Sequence, residues 1–335
     1  MRIYIVILFT CLSGTTFCQD LFTPVWAKEA HVNAGFERLC GLVTDTEGNV
    51  YFAGYAQDTM FIDTLAIDPS NHGMYSFICK YNTHGDLQWM SKYSCSEGYS
   101  GVRLRSIHLN NNDELVAIGS TSNKTTYNAE YINDGAFERG FIHVVDDNGD
   151  TKNYAEFDSL YFWSVTIDIN NNISAIAEPF GTSTTILDTT INANYTLFQL
   201  SDSLTLNWIQ SHPVPHPNSN LYWQTNAGLE FIASDSDGQL FASYNYSDTL
   251  NLHDETYLPH NYYTVTIDSI EISEDSFFVE IDSFFNMACD AVLIKYDSQG
   301  NKIWDFVIEG LEWQSISGIT ADDQGGCYIL LFVSI

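Results

Sequence analysis

An all-β fold is what this sequence predicts, and three observations carry that expectation. Short segments rich in Val, Ile, Tyr, Phe and Trp alternate along the whole chain with turns rich in Asp, Asn and Gly, the residues that supply strands and unusual turn backbone. No run shows sustained helical periodicity with caps. The same strand-turn-strand phrase also returns at long intervals, the mark of a repeat protein.

The first form of that phrase reads GLVTDTEGNVYFAG (41–54), SIHLNNNDELVAIG (106–119), SVTIDINNNISAIA (164–177), FIASDSDGQLFASY (231–244) and GITADDQGGCYILL (318–331). Asp45, Asn110, Asp168, Asp235 and Asp322 are then equivalent turn positions, at spacings of 65, 58, 67 and 87. Each interval is long enough for four strands of ordinary length. A second phrase alternates with the first: KYNTHGDLQWMS (80–91) and KYDSQGNKIWDF (295–306) share a tyrosine, a turn glycine (Gly85, Gly300) and a tryptophan (Trp89, Trp304). Two degenerate copies keep one signal each: VVDDNGDTKNY (144–154) has Gly149 but Asn153 for the tryptophan, and LSDSLTLNW (200–208) has Trp208 but Leu204 for the glycine.

Two hairpins per repeat follow, one for each phrase. Strands such as VYFAG, LVAIG and CYILL are apolar on both faces, so they need cover on both sides. Radially packed four-stranded blades provide it, each sheet lying between its neighbours. The expected architecture is a β-propeller-like array of about four complete blades plus a partial fifth, open or truncated. The repeats run approximately over 36–93, 102–158, 161–212, 225–309 and 312–335, within one domain at 19–335. In the second phrase Gly300 is expected to close the turn and Trp304 to pack between blades.

The two ends carry expectations of their own. Trp26, in PVWAKEA, matches the strand that follows Trp89 and Trp304 and reads as the last strand of a blade. GCYILLFVSI supplies only a second strand for the fifth copy, leaving an apolar edge of the kind that invites aggregation; a truncated form of a longer array is the expectation. MRIYIVILFTCLSGTTFCQD has a cationic start, an apolar run and a small polar region, which reads as a signal peptide over 1–18 and predicts a secreted or cell-surface protein, with the periplasm as the alternative.

The combination of a tryptophan, D..GN.Y..G and KY...G...W resembles the bacterial SBBP-type β-propeller repeat of exported Bacteroidetes proteins. It is carried by Trp26, Asp45, Gly48, Asn49, Tyr51, Gly54, Lys80, Tyr81, Gly85 and Trp89, and returns at Lys295, Tyr296, Gly300, Asn301 and Trp304. The resemblance spans 22–335, closely in the first and fourth repeats and loosely between. It implies a fold and a location and brings no catalytic residues with it.

Composition narrows function further. The formal net charge is −31, from 43 acidic and 12 basic side chains, a surface that repels nucleic acid and keeps an exported protein soluble. No later run of apolar residues is long enough to span a membrane. Beyond the leader, Cys40, Cys79, Cys95, Cys289 and Cys327 are odd in number, widely spaced and without a CxxC pair; they read as small buried residues, with one or two bridges at most.

No catalytic, cofactor or metal residue is assigned. DSDG (235–238) and DDNGD (146–150) resemble the start of a calcium loop, but Tyr246 stands where Asp235 would need an acidic partner, and both read as hairpin turns. DSQGNKIW departs from the spacing of the Asp box of sialidase-like propellers, whose converging arginines would have to come from Arg38, Arg103, Arg105 and Arg139 alone. His212 and His216 are separated by prolines that forbid the helix needed to pair them; His253 and His260 join them only through tertiary folding. The widest repeat contains YYTVTIDSIEISEDSFFVEIDSFF (262–285), which reads as an extra acidic, aromatic hairpin with SED as its turn and as the first choice for partner contact. The expected function is a non-enzymatic binding scaffold for an unknown protein or glycan partner. The alternative is a propeller enzyme acting on extracellular polysaccharide, which a cluster of Asp, Glu, Tyr and His at one end of the axis would favour.

Overall fold

The computed structural model describes residues 3–6, 30–32 and 37–333, apart from 63–64, 69–73, 96–100, 123, 134–138, 180–183, 192–194, 213–227, 247–249, 254, 259–261, 274–275, 287–288, 311–313 and 323. Every regular element among the described residues is a strand. Four antiparallel meanders follow one another. The first comprises Glu37–Thr44, Val50–Ala56, Tyr75–Tyr81 and Leu87–Cys95; the second Val102–Leu109, Leu115–Thr121, Arg139–Val145 and Thr151–Asp158. The third comprises Leu160–Ile167, Ile173–Pro179, Tyr195–Leu200 and Leu206–His212; the fourth Gly228–Ser234, Leu240–Tyr246, Asp290–Tyr296 and Lys302–Ile308. A fifth sheet holds Gln314–Ala321 and Cys327–Val333.

The edge of that fifth sheet, which the sequence leaves bare, receives Ile3–Val6 in parallel, Ile3 opposite Cys327 and Val6 opposite Leu330. The first four residues of the apolar run read as a leader are thus laid along it. The segment around Trp26 and the region of leader cleavage lie outside the described residues.

First strands pack in succession: Glu37–Thr44 against Val102–Leu109, that against Leu160–Ile167, then Gly228–Ser234, then Gln314–Ala321. They line a common axis; the fourth strand is the outer edge of the second, third and fourth sheets, while in the first sheet Thr125–Tyr127 and Glu130–Asn133 pair on beyond Leu87–Cys95. Stacking explains the apolar pattern of the middle strands, because Tyr75–Tyr81, Leu115–Thr121, Leu240–Tyr246 and Asp290–Tyr296 are buried at every position. The fold is an all-β, propeller-like array.

Each of the four meanders also carries a hairpin between its second and third strands that two phrases per repeat do not announce: Met60–Ile62 with Leu65–Ile67, Thr125–Tyr127 with Glu130–Asn133, Thr184–Ile186 with Thr189–Ile191, and Leu250–Leu252 with Glu255–Tyr257. Strands of three or four residues are too short to show a period. The extra hairpin of the fourth sheet is long, Tyr262–Ser273 paired with Ser276–Asn286.

Both repeated phrases build the same turn. Asp45 Oδ1 accepts the amides of Glu47 (3.1 Å) and Asn49 (2.8 Å), and Asp297 Oδ1 those of Gln299 (2.9 Å) and Asn301 (2.8 Å). Asp146 and Asp235, the two calcium-loop look-alikes, cap their turns in the same way. The side chain thereby fixes the hairpin without help from tertiary packing.

The tryptophan and glycine of the second phrase meet across neighbouring sheets. Trp89 Nε1 donates to the Asp147 carbonyl (2.8 Å) and its indole lies on Gly149; Trp208 Nε1 donates to the Ser298 carbonyl (3.0 Å) and covers Gly300. Between the second and third sheets both signals vanish together, since Asn153 replaces the indole and Leu204 the glycine. Trp304 joins the cluster of Phe241, Ile316 and Ile329 between the fourth and fifth sheets. Gly300 has φ +84°, and a Cβ there would lie 2.7 Å from the Trp208 ring. Gly300→Ala is expected to cost about 1–3 kcal/mol of unfolding free energy, read from the shift in urea midpoint.

All five cysteines beyond the leader are free thiols, Cys40 half-buried and the rest buried.

Candidate functional site

Each first strand carries one residue too many for its partner. Leu39 pairs with Gly54 and Gly41 with Ala53, which leaves Cys40 over. The same offset leaves Arg105, Trp163, Glu230 and Ser317 in the other four first strands. These five stand 65, 58, 67 and 87 residues apart, the period of the repeat. A β-bulge bends its strand and re-aims a side chain. The glycine of the first phrase makes room for it: a Cβ on Gly54 would lie 2.6 Å from the Arg38 carbonyl oxygen, and one on Gly119 2.6 Å from that of Arg103.

Three of the bulge residues, Cys40, Arg105 and Trp163, and residues beside the bulges line a cavity of about 380 Å³ around the axis, away from the Asp-led turns. The first sheet supplies Arg38, Leu39, Cys40 and Tyr55, the second Leu104 and Arg105, the third Trp163 and the fourth Phe231. The Arg105 guanidinium stands 4.3 Å from the centroid of Tyr161 and 5.7 Å from that of Trp163. Those two rings meet edge to face at 5.1 Å, and Trp163 Nε1 donates to Glu178 Oε2 at 3.3 Å. Arg105 Nε is buried without a hydrogen-bond partner.

Charge in this pocket runs against the rest of the molecule. Lys80, Arg139, Lys152, Lys295 and Lys302 each pair with a carboxylate, yet among the described residues Arg38, Arg103 and Arg105 pair with none. Burial lowers the Arg105 pKa; the Tyr55 hydroxyl opposes this, and the nearby charges of Arg103 and Arg38 add to it. Burial pushes the Cys40 thiol up to about 12, against the pull of Arg105 and Arg38. Its Sγ donates to the Leu104 carbonyl at 2.9 Å. Cys40 is therefore a protonated thiol and a poor nucleophile at neutral pH.

Three of the chain's five arginines thus gather where the sequence offers no sign of convergence. The signal lies in the period: Arg38 and Arg103 are 65 residues apart, as are Cys40 and Arg105. Among the described residues no group of three His, Cys, Asp or Glu side chains could hold a metal. His216 and His260 lie outside the described residues, and His253 Nε2 lies 3.1 Å from the Tyr296 hydroxyl.

No family model matches the chain, and no curated protein matches it. Solved structures similar to it include a protein of unknown function from Bacteroides caccae, at 8 % identity with a TM-score of 0.36, over 88 % of this chain and 87 % of that one. The Dos1 propeller is similar at 9 % identity with a TM-score of 0.37, over 89 % of this chain and 66 % of that one. An ACO/RPE65 chimera is similar at 10 % identity with a TM-score of 0.33, over 88 % and 64 %.

Proposed function

We propose that this protein is a binding module without catalysis of its own, exported to the cell surface or beyond, and that the axial pocket is its ligand site. The proposal includes the leader at 1–18, the blade domain at 19–335 and kinship with SBBP-type repeat proteins. The observation that carries it is a contrast between repeated positions. The turn position of the first phrase holds Asp or Asn in every copy, whereas the bulge position holds Cys, Arg, Trp, Glu or Ser, a different residue in each. Scaffold positions repeat, and the bulge position, which meets the pocket at Cys40, Arg105 and Trp163, diverges, as expected where repeats share a frame and contribute separately to one site.

The polysaccharide-acting alternative has less support. Among the described side chains the lining includes no Asp, Glu or His; Glu178 on Trp163 Nε1 and Glu230 at the fourth bulge would have to supply the pair of carboxyl groups that glycoside hydrolysis needs. The pocket also takes precedence over the 262–286 hairpin as the place for a ligand, because its lining comes from four sheets at once.

A panel of extracellular glycans and peptides, screened against the purified protein, tests this reading. Ligands are expected to be retained and recovered unchanged, and Trp163→Ala to abolish retention at an unchanged melting temperature. Turnover of a retained ligand, or retention indifferent to Trp163→Ala, would overturn it.

A further inference from the structure

Building on that reading of the pocket, we infer that its ligand is an acidic saccharide, a sugar ring bearing a carboxylate or sulfate group. The first ground is charge. In a molecule with 43 acidic side chains, a cluster of cations without a carboxylate partner stands out, although Lys92, on the Asp68 carbonyl, is another such cation. Here two such guanidiniums, Arg38 and Arg105, line one cavity, and a third, Arg103, lies close enough to act on Arg105. Like charges held together in a half-buried site repel one another, and an oxyanion placed between them relieves that repulsion. A guanidinium meets a carboxylate or sulfate through paired N–H donors, and the buried Arg105 Nε has its hydrogen bond still to make.

The second ground is shape. Trp163 remains 37 % exposed, and Tyr55, Phe231, Leu39 and Leu104 complete an apolar surround for the arginines. A bare inorganic anion makes no use of such walls, whereas a sugar ring sets its C–H face on an aromatic ring and carries its acid group at the rim. A cavity of about 380 Å³ is at the small end of ligand clefts, suited to the terminal unit of an acidic chain. The net charge of −31 repels polyanions elsewhere on the surface, which confines their binding to this end of the axis.

Titration of the intact protein with glucuronate, glucose and inorganic sulfate, followed by calorimetry and by the part of the tryptophan fluorescence change that Trp163→Phe removes, tests the assignment. Glucuronate is expected to bind at least about tenfold more tightly than glucose or sulfate, and to weaken as salt rises from about 50 to 500 mM. Arg105→Gln and Arg38→Gln are each expected to lower glucuronate affinity about tenfold and to leave the melting temperature unchanged. Arg105→Lys should restore it only in part, because it keeps the charge and loses the fork. Equal binding of glucose, lost on Trp163→Ala, would overturn the acidic ligand and leave the binding-module reading intact. Sulfate binding as tightly as glucuronate would overturn the sugar. Saturation by none of the three, with panel ligands still retained through Trp163, would overturn this inference alone. The same silence with no panel ligand retained would overturn both.

Discussion

Asp235→Ala is expected to lower the unfolding free energy by about 3–5 kcal/mol, the usual cost of leaving one member of a buried ion pair alone. The Asp235 carboxylate is 1 % exposed and the Lys295 side chain 6 %, with Nζ 3.1 Å from Oδ2. The other carboxylate oxygen accepts the turn amides of Asp237 (3.0 Å) and Gln239 (2.9 Å). Alanine removes all three contacts at once. The ammonium then keeps the Gly325 carbonyl, 2.8 Å away on the fifth sheet, and the Phe241 ring face at 4.6 Å. The second sheet contains an uncharged version of the arrangement, with Asn110 at the turn position and Val144 at the lysine position. The double substitution Asp235→Asn with Lys295→Val is therefore expected to cost less than Asp235→Ala alone, since no charge is stranded. Urea denaturation of the single and double variants checks both values. A double variant as unstable as Asp235→Ala would show that the pair does more than neutralise itself.

Acid is expected to remove about 3 kcal/mol of stability between pH 6.5 and pH 4, through one histidine. His143 is fully buried, with Nδ1 2.8 Å from the Tyr93 hydroxyl and Nε2 2.9 Å from Thr151 Oγ1. Aromatic rings surround it, Tyr127 at 4.6 Å and Tyr154 at 5.6 Å between centroids. Burial brings its pKa down from 6.5 to about 4. Because the folded value lies below the unfolded one, the unfolded chain takes up a proton first as pH falls. The stabilisation is complete above about pH 6.5 and is lost on the way to about pH 4. The lowered carboxyl groups of Asp45 and Glu114 respond in a more acidic window, below their ordinary values. Urea midpoints at pH 7 and pH 5 should differ in the native protein, and the difference should shrink in His143→Gln, which cannot titrate. An undiminished difference in that variant would place the acid sensitivity elsewhere.

Much of the scaffold was legible because its signals are local. Asp45, Gly48 and Asn49 make their turn among themselves, so the same letters mean the same hairpin wherever they recur. Trp89 and Gly149 were legible one at a time, but their partnership was not, since it joins residues of two different repeats. The short hairpins at 60–67 and 184–191 were missed because three-residue strands lack a period. The site was the least legible part. Cys40, Arg105 and Trp163 are unlike one another, and a comparison that looks for sameness passes over them. What they share is a bulge, which appears only once the register of the strands is known.

The missing indole between the second and third sheets has a mechanical consequence. Between the first and second sheets, and between the third and fourth, an indole hydrogen bond to a turn carbonyl fixes the outer edge of one sheet against the next. Here the outer junction is apolar, built on Phe157, Phe162 and Phe198 with Leu204, Leu206 and Ile209, and apolar contact resists separation better than sliding. Near the axis the same junction is pinned at its turns, where Asn111 bonds to Asn171 and to the carbonyls of Asp168 and Ile169. The same junction carries Arg105 on one side and Tyr161 with Trp163 on the other, so the packing of these two sheets sets the width of the pocket between them.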